Sequence, residues 1–197
     1  MKIIGITGPT GAGKTTALHA LEQLGAEVID ADALYHGLLA ESGELKAALT
    51  AVFGPAILDG AGRVDRKALA GAVYPDKVDQ LNAITHPFVV AEVDRLTAQA
   101  RREGKAAVAI DAIALIESGL GKRCDAVVAV LAPLETRIAR IMARDGIDEG
   151  YARRRALAQQ GEDFFRAHAH YVLENGPEDT PATFEAKALA LFEQILA

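Results

Sequence analysis

Eight residues near the amino terminus, Gly8-Pro9-Thr10-Gly11-Ala12-Gly13-Lys14-Thr15, set three glycines, a lysine and a hydroxyl at fixed spacing. The pattern G-x-x-x-x-G-K-[ST] is a phosphate cradle. Glycines let the backbone turn so tightly that successive N–H groups point inward at phosphate oxygens. A helix starting near Lys14 adds the positive end of its dipole. The Lys14 ammonium reaches β- and γ-phosphates, and the Thr15 hydroxyl can ligate Mg²⁺. Gly8, Gly11, Ala12, Gly13, Lys14, Thr15 and Thr16 are therefore the candidate contacts for a nucleoside triphosphate, and Thr15 the candidate metal ligand. A chance match in a chain this size is on the order of one per cent.

A phosphate loop binds nucleotide but does not choose the acceptor. Asp30 and Asp32 follow a second apolar run and so fall at the carboxyl end of a strand, the edge where open parallel sheets hold ligands. In an extended segment, residues two apart point the same way. A carboxylate there, Asp32 in preference to Asp30, could accept the proton of an attacking hydroxyl and touch the acceptor. The competing role for Asp32 is to cap the helix that begins at Ala33-Leu34-Tyr35. Asp111 follows the apolar run 106–110, where P-loop proteins carry an acidic residue that supports Mg²⁺, or where it closes the strand structurally. Glu117, on the next segment, fits either purpose.

Six arginines, Arg137, Arg140, Arg144, Arg153, Arg154 and Arg155, are a large share of 21 basic residues on an acidic chain. Arg137, Arg140 and Arg144 share one helical face. Guanidinium forks suit phosphate oxygens and neutralise charge as a phosphoryl group moves. Such a run is either a solvated helix face or a closing lid, and the flanking glycines favour the lid. Arg140 and Arg144 are its expected phosphate contacts. Thr85-His86-Pro87 reads as a helix start with Pro87 at the first position, and His86 as a substrate contact or as part of that turn. His168 and His170 lack further ligands for a metal site.

These groups need a frame. Residues 2–6, 26–29, 105–110, 126–131 and 171–173 read as short strands, several of them apolar on both faces, as in a parallel sheet covered by helices. Helical patterns cover about 14–24 and 181–196, and a long helix is expected after Pro87. The roughly seventy residues between the second and third strands are too many for a simple crossover and read as an inserted helical region. The expected core is about 1–34, 105–143 and 168–197, with a substrate-binding insertion about 35–104 and a lid about 144–167. Together they read as one α/β domain built on a parallel sheet.

Composition limits the partners. The net charge of −6 excludes wrapping of nucleic acid, which needs an excess of Lys and Arg. No stretch approaches the roughly 20 apolar residues of a membrane span, and the short apolar start does not read as a signal peptide. Cys124 is the only cysteine, so no internal disulfide forms and a reducing, cytoplasmic setting is expected.

Taken together, the chain resembles the dephospho-CoA kinase family along nearly its whole length. The resemblance is carried by residues 5–15, Val28-Ile29-Asp30-Ala31-Asp32, Thr85-His86-Pro87, Asp111 to Glu117, Arg137-Ile138-Ala139-Arg140-Ile141-Met142-Ala143-Arg144-Asp145, residues 155–159 and residues 169–176. It implies a single P-loop kinase domain, α/β in three layers with about five parallel strands, and with it ATP and Mg²⁺, dephospho-CoA as acceptor, and a monomer or weak homo-oligomer. It makes Asp32 the base, with Lys14 and Arg140 also catalytic and Asn175 at the nucleotide. Asp32, His86, Asp111, Arg137 and Arg144 would then meet the substrate. Three places depart from the family pattern: Ile113-Ala114-Leu115-Ile116 stands for a proline-leucine-leucine-phenylalanine-like segment, Arg137 for a glutamine, and His170 for an aspartate. The residues also admit another small-molecule or nucleotide kinase of the same fold, or a nucleotide switch without an acceptor.

Overall fold

Strand β1 (Lys2–Thr7) carries Ile3, Ile4 and Ile6, and Ile4 and Ile6 are fully buried because both sheet faces are covered. It lies at the centre of a five-stranded parallel sheet, with β2 (Ala26–Asp30), β3 (Ala107–Asp111), β4 (Ala126–Leu131) and β5 (Tyr171–Glu174) in the order β2-β3-β1-β4-β5. The computed structural model describes all 197 residues. In register, Ile6 faces Asp111 on one side and Val128 on the other.

The alternation along β4 shows how the layers form. Val128 and Val130 join Leu18 and Leu21 of α1 (Lys14–Gln23) and Phe184 and Phe192 of α9 (Pro181–Leu196) in one apolar cluster. Ala129 and Leu131 join Phe165 of α8 (Glu162–His168) in another. Successive side chains of a strand face opposite ways, so one short run serves both layers. Thr180 begins α9 with a capping box, its hydroxyl accepting from Thr183 N–H.

His170 stands just before β5. Its N–H donates to Val127 O and its Nδ1 accepts from Val127 N–H, both at 2.9 Å. An imidazole lone pair therefore satisfies a strand-end donor of β4, work that a carboxylate oxygen could also do.

Two compact units are present. Residues Met1–Ile29 with Gln99–Ala197 form one, and Asp30–Ala98 the other. The second contains α2 (Ala31–Glu41), α3 (Gly43–Phe53), α4 (Arg66–Val73) and most of α5 (Val78–Arg102). Its own core is built on Leu39, Leu45, Leu49, Ile57, Leu69 and Val73. Ser42 caps α3 and Asp65 caps α4.

The helix expected to start at Pro87 starts at Val78, and Pro87 lies inside it. Leu81, Ile84 and Phe88 pack against the second unit's core at i, i+3 and i+7, one continuous stripe across the proline. Burying that stripe outweighs the roughly 3 kcal/mol of an interior proline. No helix is long and apolar enough to cross a membrane.

Candidate active site

The loop between β1 and α1 must reverse direction within a few residues, and its glycines adopt backbone that other residues rarely take: Gly8 has φ 134°, Gly11 82° and Gly13 109°. Space is as demanding as φ. A Cβ on Gly8 would lie 2.1 Å from Val130 O, and one on Gly13 would lie 2.4 Å from Asn175 Nδ2. Gly13 is the N-cap of α1 and brings no side chain to cap it, while Thr16 N–H bonds to Gly13 O at 3.1 Å. The Lys14 ammonium lies back across the loop and donates to Gly8 O at 2.8 Å. Thr15 is exposed and Thr16 half-buried on that first turn.

Four side chains from distant positions hold this loop from outside. Gln159, just beyond α7 (Glu149–Leu157), accepts from Thr10 N–H at 2.8 Å and donates to Thr10 Oγ1 at 3.1 Å. Arg137, on α6 (Leu134–Asp145), donates from Nε to Thr10 O at 3.0 Å and from Nη2 to Ala156 O at 3.1 Å. Asn175, following β5, is buried and donates to Ala12 O at 2.9 Å. Arg140 Nη2 donates to Asn175 Oδ1 at 3.0 Å, while Nη1 makes longer bonds of 3.3 and 3.4 Å to Gly11 O and Ala12 O.

The expected site residues are only partly brought together. The loop residues, Arg137, Arg140 and Asn175 come together. Arg137 and Asn175, expected at substrate and nucleotide, bond to the loop's own carbonyls. Asp111 ends β3, half-buried and opposite Ile6, close in sequence register to where the loop leaves β1. Arg144 instead clasps Asp145, at 2.7 and 3.0 Å, and Arg155 joins from α7 at 2.6 Å. Hydrogen bonds from Arg144, and then Arg155, hold the Asp145 carboxyl down at about 2, so the clasp stays ionised near neutral pH.

Asp32 and His86 belong to the second unit. The helix cap there is Asp30, whose carboxylate accepts from Ala33 N–H at 2.8 Å. Asp32 is the second residue of α2, in helical backbone within the first turn, and is exposed. The two aspartates therefore do not share an extended segment, and the capping role open to Asp32 is filled by its neighbour. His86 is half-buried within α5, and Glu117 is exposed on the segment after β3. Of Ile113-Ala114-Leu115-Ile116, Leu115 is fully buried; a Cβ on Gly5 would lie 2.6 Å from its Cδ2. Burial pushes the Cys124 thiol up to about 12, so it supplies no thiolate nucleophile.

Gln159 is the residue that motif reading passed over as a contact. Its partner Thr10 is 149 positions away, and nothing in the local sequence marks a glutamine as a reader of one loop N–H.

A family model described as dephospho-CoA kinase matches residues 2–180. The chain belongs to the dephospho-CoA kinase family. A dephospho-CoA kinase of Geobacter metallireducens is 37% identical over 196 residues, covering 98% of this chain and 96% of the relative. The crystal structure of a Thermus thermophilus protein is 33% identical, with a TM-score of 0.80, and covers 100% of this chain and 98% of that one. The dephospho-CoA kinase of Campylobacter jejuni has a TM-score of 0.70 at 25% identity, covering 98% and 96%. Membership makes this chain a kinase, so the loop is read as a holder of the phosphoryl donor. At two of the three places where the family pattern differs, Arg137 and His170 make hydrogen bonds within the fold.

Proposed function

We propose that this chain transfers the γ-phosphoryl group of ATP to the ribose 3′-hydroxyl of dephospho-CoA, giving CoA and ADP, the last step of coenzyme A biosynthesis. The observation that carries the reading is the loop from Gly8 to Thr15, held open by four side chains in a member of this family. Its backbone N–H groups and Lys14 bind the β- and γ-phosphates. In the transfer, the ribose oxygen bonds to the γ-phosphorus and the bond from that phosphorus to the β,γ-bridging oxygen breaks. Asp32 takes the hydroxyl proton, and the leaving oxygen carries its charge into the cradle.

No group of three or more His, Cys, Asp or Glu side chains forms a metal cage. The Thr15 hydroxyl and the Asp111 carboxylate are hard oxygen donors of the kind Mg²⁺ takes alongside phosphates and waters. Thr15 would hold it, with Asp111 in support. Bound there, Mg²⁺ neutralises charge on the β- and γ-phosphates.

Residues 144–167 serve as the lid and residues 35–104 shelter the acceptor, with His86 and Arg144 as acceptor contacts. The protein acts in the cytoplasm as a monomer or weak homo-oligomer. Arg140 exchanges its two long bonds to loop carbonyls for phosphoryl oxygens as charge develops. Arg140→Ala is therefore expected to lower kcat about 10²-fold while changing the Kd for ATP far less. A larger loss in Kd than in kcat would make Arg140 a plain nucleotide contact.

An ADP-coupled assay tests the whole reading against dephospho-CoA, nucleoside monophosphates and sugar acids. Turnover is expected with dephospho-CoA alone. Brisk use of another acceptor with none of dephospho-CoA would overturn it.

A further inference from the structure

A buried cation without a counter-ion stands behind the phosphate loop. Arg137 is 8% exposed, and its guanidinium donates to Thr10 O, Ala156 O and, at 3.4 Å, Gln159 Oε1. Each of these acceptors is a neutral oxygen. Arg140 shares this character, bonding only Gly11 O, Ala12 O and Asn175 Oδ1, whereas Arg144 and Arg155 pair with Asp145, and Arg153 with Glu135 and Glu149. Burial alone pulls the Arg137 pKa down, with no neighbouring charge contributing. An arginine nevertheless keeps its proton, so a full positive charge sits in a poorly solvated place where an unpaired ion is costly.

Its position shows where the balancing charge goes. Thr10 O belongs to the same peptide unit as Gly11 N–H. In a trans peptide these two groups point in opposite directions. A guanidinium bonded to Thr10 O therefore lies behind the unit, with Gly11 N–H directed away from it. Hydrogen bonding to the carbonyl polarises the unit and makes that N–H a stronger donor. The α6 backbone also passes close to the loop, since a Cβ on Gly11 would lie 2.8 Å from the main-chain oxygen of Arg137.

We propose that Arg137 is a positioning residue whose counter-ion is the polyphosphate itself, held on the far face of the loop and never touched by the guanidinium. The proposal rests on the triphosphate-binding role given to the loop above. It assigns binding strength to a charge that acts through one peptide unit, and it predicts that the effect follows ligand charge.

Calorimetric titration of AMP, ADP and ATP into the wild type, Arg137→Gln and Arg137→Lys tests this, with thermal melting of each ligand-free protein. AMP places no phosphate in the β-phosphate cradle and should lose no more than about twofold in Arg137→Gln. ADP should lose more, and ATP about tenfold, the order expected of unit charges about 10 Å apart at an effective dielectric of about 20. Arg137→Lys should retain most of the difference between AMP and ATP. Ligand-free Arg137→Gln should melt no lower than the wild type, because the uncompensated charge is gone. Equal losses for all three nucleotides, loss of the ladder in Arg137→Lys, or an Arg137→Gln that fails to fold would each make Arg137 a structural brace and overturn the proposal. A wild type that binds none of the three would instead overturn the kinase reading itself, and this proposal with it.

Discussion

Asp32→Asn is expected to lower kcat by about 10²-fold or more and to leave the Kd for ATP within a factor of about two. Asparagine keeps the shape and a hydrogen-bonding oxygen but cannot take a proton from an alcohol near neutral pH. The geometry of α2 makes this substitution informative. Its N-terminal cap is the Asp30 carboxylate on Ala33 N–H, so the amide at position 32 leaves the helix start in place. In the first turn of the helix the Asp32 charge adds about 0.3–1 kcal/mol. Asp30→Ala is the matched control, expected to cost about 1 kcal/mol of stability by removing the cap. Single-turnover phosphoryl transfer and thermal melting, run on both variants, separate the two roles. Unchanged turnover in Asp32→Asn would refute it as the base.

Gly8→Ala is expected to abolish nucleotide binding and to destabilise the fold by about 3–5 kcal/mol, a large part of a typical total. Two penalties coincide at this position. The backbone sits at φ 134°, which an L side chain rarely adopts, and the new methyl would meet Val130 O at 2.1 Å. That oxygen belongs to the backbone of β4, where rotamer changes give no relief. Gly71→Ala, within α4 and with nothing near the added carbon, gives the contrast. It should leave stability equal or raise it by up to about 1 kcal/mol, because alanine stiffens the unfolded chain and favours helix. Chemical denaturation measures both. A Gly8→Ala as stable as the wild type would mean that the loop leaves β1 along a different path.

Much of the frame was legible before any coordinates. The run 126–131 is β4 residue for residue, and 181–196 is α9, because burial on two faces and period-3.6 patterning are local properties of a chain. The loop was legible for the same reason: its glycines, lysine and hydroxyl are adjacent, and their spacing alone defines the cradle. Pro87 misled because a proline is a local signal of helix start, whereas the stripe of Leu81, Ile84 and Phe88 gains its free energy from a core assembled elsewhere in the second unit. The capping role weighed for Asp32 falls to Asp30, since where β2 stops and α2 starts decides which of them caps.

The amino-acid order by itself determined an α/β sheet with a phosphate loop at its first turn. Tertiary structure alone decided what holds that loop open. Thr10 meets Gln159 across 149 positions, Arg137 across 127, and Ala12 meets Asn175 across 163. No periodicity spans such separations. Glutamine, arginine and asparagine are ordinary surface residues until packing aims their donors and acceptors at one exposed turn of backbone, whose polar groups must find partners once they leave water.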